Sequence, residues 1–156
     1  MTHPYITGWG HTPFGKLDNL DMEQLIRDAA LPAVATAGLD LKDIDGIFVG
    51  HFNAGFVPQD FSAAMPAVAI PEFRHTPALR LENACATGSA AIWAALDAVG
   101  SGRVKHALVI GMEKMNTLPN QQIGETLLKC SYVKEEGATP AGFAGVFGQI
   151  ALQYFD

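Results

Sequence analysis

Apolar residues recur along the chain at two different spacings, and each spacing predicts one kind of element. From Asp21 to Ala37 they lie three or four residues apart, the pattern of an amphipathic helix, and Gly38 is suited to ending it. Pro32 lies inside this stretch, so we expect a kink or a restart of the helix there. The almost unbroken apolar series over 89–99 predicts a second helix.

Short apolar runs bounded by glycine, proline or polar residues predict strands, at 4–10, 46–52, 78–84 and 107–111. Four prolines between 57 and 77 indicate a loop that contains one helix. Strands and helices therefore alternate. This order predicts an α/β fold in which helices cover a layered, largely parallel sheet.

Composition and charge exclude several classes of function. The 156 residues are 49% hydrophobic and 17% charged, which is typical of one folded domain with a real core. The net charge is -6 and the basic residues are scattered, so no stripe could follow a nucleic acid. The chain has neither a leader-like start nor an apolar run of about 18 residues. We therefore expect a cytoplasmic protein with no nucleic-acid or membrane partner.

The two cysteines, Cys85 and Cys130, do not form a metal or disulfide framework. They make no CxxC pair and have no histidine cluster beside them, so we expect no metal site and a reducing compartment. Cys130 has polar neighbours and no special local context, and we assign it no chemical role.

Cys85 occupies the predicted turn between a strand and a helix, in the stretch ENACATGSAAIWAAL. The small residues around it permit a sharp elbow. At the start of a helix, the macrodipole and unpaired N–H groups would favour a thiolate and could stabilise an oxyanion on an attacked carbonyl. This context favours acyl transfer. Free cysteine is also a common buried residue, so a packing role stays open at this point.

The helix after Cys85 has one charged residue, Asp97, and otherwise no solvent face. A helix that is apolar all round is buried on all sides, so we expect further chain or a partner subunit to pack on it. Apolar residues also recur at helical spacing over 143–154, up to the end of the sequence. That pattern predicts a chain interrupted within a helix.

Several segments together resemble the N-terminal part of a thiolase, closest to the sterol-carrier-protein type and to thiolase-like acetyl-CoA acetyltransferases. ITGWGHTPFGK resembles the opening strand and turn of that family, and AGLDLKDIDGIFVGHFNAG its second strand. NACATGSAAIWAALDAVGSGRVKHALVIGMEKM resembles its nucleophile elbow, buried helix and following strand. The likeness spans the chain to about Met115. FAGVFGQIALQYF resembles, less specifically, the helix that opens the family's loop domain.

The resemblance implies a thiolase-like N-terminal half-domain over 1–115 and the truncated start of a loop domain over 116–156. It implies that Cys85 attacks an acyl-CoA to form an acyl-enzyme, with its own N–H helping to hold the thioester oxygen. A second acyl-CoA would then be condensed onto the acyl group, or a 3-ketoacyl-CoA cleaved in reverse. Coenzyme A thioesters would be the substrates, with no tightly bound cofactor. The protein would assemble as a homodimer, together with the C-terminal half that the family has and these residues lack.

The family's remaining catalytic motifs have no match in this sequence. They are a Gly-His-Pro histidine, a segment like HEAF or HDCF, and a Cys-x-Gly cysteine, so these residues alone are expected to be inactive. None of the histidines stands in such a context, and each is interpreted as structural or solvated: His3, His11, His51, His75 and His106.

Other polar and glycine signals carry no assigned function. Gly8, Gly10 and Gly15 miss the spacing of a dinucleotide-binding loop and are better explained by a turn. His51 and Asn53 flank Phe52 at the end of the predicted second strand and could face an active-site cleft. Glu82 and Glu113 at strand ends could form a buried catalytic pair, although capping or ion pairing is the usual reason for such carboxylates, and we assign them no role.

Two alternatives to a thiolase stay open. ACATGS also resembles the elbow of ketoacyl synthases, which are condensing enzymes that use carrier-protein thioesters. The other alternative is a non-catalytic, thiolase-like subunit that only binds an acyl-CoA or a partner protein.

Overall fold

Three parallel strands form one sheet in the computed structural model, which describes residues 3–155. They are β1 (Gly46–Gly50), β2 (Ala78–Leu81) and β3 (Ala107–Gly111), in the spatial order β2, β1, β3. Ile47 of β1 lies opposite Ala78 of β2 and Leu108 of β3. The three strands were predicted from their apolar runs, although β1 and β2 end two and three residues earlier than expected.

Six α-helices accompany the sheet in the described part of the chain. They are α1 (Met22–Thr36), α2 (Met65–Ala69), α3 (Thr87–Gly100), α4 (Asn120–Leu128), α5 (Val133–Glu136) and α6 (Gly142–Phe155). The helix expected between 57 and 77 is α2. The one expected over 89–99 is α3, which begins two residues earlier and therefore closer to Cys85.

α1 begins at a capping box and continues through Pro32. The Asp21 carboxylate accepts the Gln24 N–H at 2.7 Å, and the Gln24 side chain accepts the Asp21 N–H at 2.9 Å. The expected restart at Pro32 is wrong, because the structure has one uninterrupted helix from Met22 to Thr36.

The expected strand over 4–10 is also wrong. This segment has no strand pairing and instead follows α1, where the Trp9 N–H donates to Thr36 Oγ1 at 3.0 Å. Gly8 and Gly10 lie directly on the helix backbone, and a Cβ at either position would collide with the carbonyl of Ala33 or Ala29. The glycines that suggested a strand end are therefore explained by close approach of two backbones.

α3 packs one face on the sheet and leaves the opposite face exposed. Phe48 of β1 lies in a buried cluster with Ala91, Ala95, Ala98 and Val104, because the alanines let the helix approach the sheet closely. Ile92, Trp93 and Leu96 point away from that cluster, and Trp93 is 73% exposed. Within the described residues this face is uncovered, so its burial by further chain or a partner subunit stays a prediction.

Asp45 fixes the start of β3 through its carboxylate. Its oxygens accept the N–H groups of Lys105 and His106, both at 2.9 Å. Desolvation is the largest influence and raises the pKa of Asp45, but these hydrogen bonds and the nearby His106 imidazole lower it by more in sum. The pKa therefore lies below its ordinary value of 3.8.

The described residues divide into two compact units. The first comprises residues 3–52 and 59–113 and contains the sheet with α1, α2 and α3. The second comprises 53–58 and 114–155 and contains α4, α5 and α6; within it, Lys129 Nζ donates to the Ala54 carbonyl at 2.5 Å. A domain boundary between 115 and 116 stays a prediction.

Candidate active site

The carboxyl ends of the three parallel strands lie along one edge of the sheet. The ladder extends past the strands, because the His51 N–H donates to the Leu81 carbonyl at 3.2 Å and the Met112 N–H to the Gly50 carbonyl at 3.0 Å. Ligands of open parallel sheets bind outside such an edge. The residues directly after the three strands, 51–52, 82–86 and 112–113, all lie in the first unit and therefore form the candidate site.

Cys85 lies on a single 3₁₀ turn, Ala84–Ala86, that joins β2 to α3. Its side chain is exposed, and neither it nor Cys130 forms a disulfide. Ala84 has φ 46°, in the left-handed region that is unfavourable for a residue with a Cβ. Strained backbone of this kind persists where the surrounding structure enforces it, often at functional sites. The sequence-predicted elbow is therefore present.

Three hydrogen bonds hold the backbone on both sides of Cys85. The Asn83 N–H donates to Thr87 Oγ1 at 2.8 Å, and the Ala84 N–H donates to Glu82 Oε1 at 2.5 Å. The Ala86 N–H donates to the Asn83 carbonyl at 2.9 Å. Glu82, a carboxylate with no assigned role, thus supports the elbow locally, which is the capping role expected of such a residue.

The start of α3 directly follows the cysteine. Ala86 is the N-cap residue, and an alanine side chain offers no acceptor to the first N–H groups of the helix. The Thr87 N–H is bonded to the Ala84 carbonyl, and the positive end of the helix dipole attracts negative charge, whether on a thiolate or on a developing oxyanion. The turn can therefore support nucleophilic attack on a carbonyl and stabilise the product of that attack.

Gly50 ends the central strand directly beneath the start of α3. A Cβ at Gly50 would lie 3.2 Å from both the methyl carbon and the carbonyl oxygen of Thr87, which is tighter than ordinary van der Waals contact. Glycine is favoured here by the close approach of β1 and α3 rather than by its backbone angles. The pattern of the sequence marked Gly50 only as a strand end.

His51 and Glu113 meet beside the same edge. His51 is 1% exposed, and its Nε2 lies 3.4 Å from Oε1 of Glu113. The other carboxylate oxygen of Glu113 accepts the Phe52 N–H at 3.1 Å. Neither ring nitrogen of His51 makes a hydrogen bond of good geometry within the described residues. The sequence placed both residues at strand ends without indicating that they pair.

Arg80 of β2 connects that strand to the segment after β1. Its guanidinium donates to the carbonyls of His51 at 3.0 Å and Phe52 at 2.8 Å, and it pairs with the Asp60 carboxylate. Sequence reasoning missed this role. An arginine inside an otherwise apolar strand was the available signal, since a charged residue on a strand next to a buried edge needs polar partners.

The remaining candidate residues lie elsewhere. Cys130 follows α4 in the second unit and is half-buried. His106 Nδ1 lies 3.0 Å from the Asp43 carbonyl, at the opposite end of β3 from Glu113. Among the described residues, no group of three or more His, Cys, Asp or Glu side chains could hold a metal ion. No helix in the same part of the chain is long and apolar enough to cross a membrane.

Comparison with known proteins places this geometry in a family. The family model for the thiolase N-terminal domain matches residues 5–150. An acetyl-CoA acetyltransferase of Methanocaldococcus jannaschii is 35% identical over 150 residues, which is 96% of this chain and 38% of that protein. A hydroxymethylglutaryl-CoA synthase of Methanopyrus kandleri is 33% identical over 106 residues, 68% of this chain and 30% of its own length.

A solved structure agrees at the level of the fold. The 3-oxoacyl-[acyl-carrier-protein] synthase III of Aquifex aeolicus has a TM-score of 0.55 and 24% sequence identity, and the match covers 63% of this chain and 31% of that one. At this identity the likeness shows the fold alone, which confirms the predicted α/β class. The chain spans about two fifths of the length of its acetyltransferase relative. Given the family match across nearly all of its residues, the chain belongs to the thiolase family, in the N-terminal domain of that family.

Proposed function

We propose that this chain is the nucleophile-bearing part of a thiolase-type acyltransferase that acts on coenzyme A thioesters. The observation that carries the proposal is the placement of Cys85. It is an exposed cysteine, preceded by a left-handed alanine and followed at once by a helix N-terminus with no side-chain cap. A cysteine that served only to pack would be buried. The relatives named acetyl-CoA acetyltransferase support the same class of reaction.

In the proposed first step, Cys85 accepts an acyl group. Its thiolate attacks the carbonyl carbon of an acyl-CoA, a carbon–sulfur bond forms to Cys85, and the carbonyl electrons move to oxygen. The N–H of Cys85 and the positive end of α3 stabilise that oxyanion. When it collapses, the bond to the coenzyme A sulfur breaks, and coenzyme A leaves as a thiolate that takes up a proton. The acyl group remains on Cys85.

In the proposed second step, a base removes a proton from the carbon next to the carbonyl of a second acyl-CoA. The resulting carbanion attacks the acyl-cysteine, a carbon–carbon bond forms, and Cys85 leaves as a thiolate. The product is a 3-ketoacyl-CoA, and the reverse sequence would cleave one. The base and the other family motifs have no match in these residues, so the chain alone is expected to be inactive.

The proposed assembly is a homodimer completed by the family's C-terminal half. The apolar face of α3 around Trp93 is left exposed in the described residues and is suited to covering by that half. β2 lies at the edge of the sheet, with β1 on one side, so its other side offers backbone groups to a second copy.

Acylation of Cys85 tests the proposal directly. The full-length protein is incubated with acetyl-CoA, the release of coenzyme A is followed, and peptides containing Cys85 and Cys130 are analysed by mass spectrometry. We expect an acetyl group on Cys85 alone, lost in Cys85→Ser and retained in the matched control Cys130→Ser. Coenzyme A release that persists in Cys85→Ser would overturn the assignment. An unmodified Cys85 would favour a non-catalytic acyl-CoA-binding subunit.

A second candidate is a condensing enzyme that loads the same cysteine but uses a different acceptor. The match to a hydroxymethylglutaryl-CoA synthase supports this second candidate, since the thiolase reaction and the other condensation would both begin with acyl transfer to Cys85. Product analysis separates the candidates. Acetoacetyl-CoA formed from acetyl-CoA alone indicates a thiolase, whereas turnover only with added acetoacetyl-CoA or with a carrier-protein thioester indicates a condensing enzyme of another type.

A further inference from the structure

Thr87 is the first residue of α3, two positions after Cys85, and its side chain forms a hydrogen bond back across the cysteine. Its Oγ1 accepts the N–H of Asn83 at 2.8 Å, so one hydrogen bond joins the residue two positions before Cys85 to the residue two positions after it. Thr87 is 7% exposed, so the accepting hydroxyl is largely shielded from water, while the donor Asn83 lies at the surface.

The contact with Gly50 explains why the hydroxyl of Thr87 points towards Asn83. The Thr87 methyl group packs against Gly50 at the end of β1, where even one added carbon would lie 3.2 Å from it. A β-branched side chain has few allowed rotamers in a helix. With the methyl group held against the central strand, the hydroxyl is left on the side of the Asn83 N–H. The sheet thus determines which way the side chain points.

The hydrogen bond between Asn83 and Thr87 lies next to a residue with a strained backbone. Ala84 lies between Asn83 and Cys85 and is in the left-handed conformation, at φ 46°. A residue with a Cβ leaves that conformation readily unless the neighbouring backbone is fixed. The Asn83 N–H bonded to Thr87, together with the Ala84 N–H bonded to Glu82, fixes the backbone at that point.

We propose that Thr87 is a positioning residue for the nucleophile: its buried hydroxyl locks the Asn83–Ala84 turn and thereby holds Cys85 at the start of α3. This inference rests on the proposed function, since it matters only if Cys85 reacts. It extends that function by assigning the geometry of the elbow to a side chain that acts through the backbone of the turn.

Two substitutions separate the hydroxyl from the methyl group. Thr87→Val keeps the branched shape against Gly50 but removes the acceptor, so the Asn83 N–H loses its partner. Thr87→Ser keeps the acceptor and removes the methyl group. Loss of one such hydrogen bond is expected to slow the reaction of Cys85 about tenfold in Thr87→Val, equivalent to about 1.4 kcal/mol. Thr87→Ser is expected to stay within about twofold of the unsubstituted protein.

The test measures two rates at Cys85 in the full-length protein, alkylation by iodoacetamide and acetylation by acetyl-CoA. Alkylation of Cys130 in the same molecule is the internal reference, and thermal melting reports on the fold. The expected result is slow alkylation and slow acetylation of Cys85 in Thr87→Val, with Cys130 unchanged and recovery in Thr87→Ser. Because alkylation needs no enzyme activity, it tests Thr87 even if acetylation of the unsubstituted protein fails, which would instead count against the proposed function.

Two results would overturn the inference. One is a Thr87→Val protein whose Cys85 reacts at the unsubstituted rate. The other is a Thr87→Ser protein that is slowed about tenfold, because the hydroxyl would then not be what holds the elbow. The second result decides the matter even if Thr87→Val does not fold, since serine is the milder replacement at the start of a helix.

Discussion

Nε2 of His51 lies 3.4 Å from Oε1 of Glu113, so the residue that follows the central strand is joined to the second residue after β3. His51 is almost completely buried, whereas Glu113 is partly exposed and also accepts the Phe52 N–H. The pair therefore links two of the three strand ends that form the site edge, on the side of β1 away from the Cys85 turn.

The first prediction concerns the two members of this pair. His51→Ala is expected to lower the free energy of unfolding by about 2–4 kcal/mol, because it leaves a cavity in the core and a carboxylate without its neighbour. Glu113→Gln keeps an oxygen for the Phe52 N–H and is expected to cost about 1 kcal/mol. Urea unfolding of the full-length protein compares the two. Equal losses would show that the ring of His51 contributes little by packing.

The second prediction concerns the left-handed alanine. Ala84→Gly is expected to stabilise the protein by about 0.5–1 kcal/mol, because glycine adopts positive φ without steric cost. Ala90→Gly, inside α3, is the control, and it is expected to destabilise by about 1 kcal/mol because glycine is unfavourable within a helix. Thermal melting of both variants checks the opposite signs. A lower melting temperature for Ala84→Gly would contradict the strain seen at φ 46°.

The third prediction concerns the close approach of β1 and α3. Gly50→Ala is expected to destabilise by about 1–3 kcal/mol, because the new carbon would lie 3.2 Å from two atoms of Thr87 and force them to move. The rate of Cys85 alkylation is expected to fall with it. Gly88→Ala is the control, since a Cβ there meets no atom within 4 Å. Unchanged Cys85 reactivity in Gly50→Ala would show that the contact between Gly50 and Thr87 does not affect the turn that carries Cys85.

The fourth prediction concerns pH. The pKa of Asp45 is lowered in the folded protein, so its carboxylate contributes stability that is present above its ordinary pKa of 3.8 and lost as the pH falls through the folded value. Asp45→Asn is expected to cost less than about 1 kcal/mol at neutral pH, because the group is exposed and screened by solvent.

The difference between Asp45→Asn and the unsubstituted protein is expected to shrink as the pH falls below about 4, and its ionisation-dependent part to vanish below the lowered pKa of folded Asp45, where the carboxyl is protonated in both states. Unfolding in urea from pH 7 to pH 3 measures this. Asp28→Asn, which removes one exposed carboxylate from α1, is the matched loss of charge and is expected to leave stability at pH 7 nearly unchanged. A constant difference for Asp45→Asn across this range would exclude a contribution from ionisation.

Much of the fold was predicted from periodicity alone. α1 and α3 show helical spacing over several turns, and the three strands are short apolar runs with glycine or polar ends, so local pattern and final structure agree. The segment over 4–10 was predicted wrongly, because an apolar run with glycines fits a strand and a backbone lying against a helix equally well. Only the position of α1 decides between them.

The candidate site, like the fold, was predicted in part from local pattern and in part only after the folded arrangement was known. Local pattern was enough to predict a cysteine between a strand and a helix among small residues, since that arrangement depends on neighbours along the chain. The folded chain was needed to show that Thr87 packs on Gly50 and binds Asn83, that Arg80 reaches the carbonyls after β1, and that His51 meets Glu113. These contacts join residues from different strands and helices, and their partners are chosen by the parallel order of β2, β1 and β3, which no local pattern records.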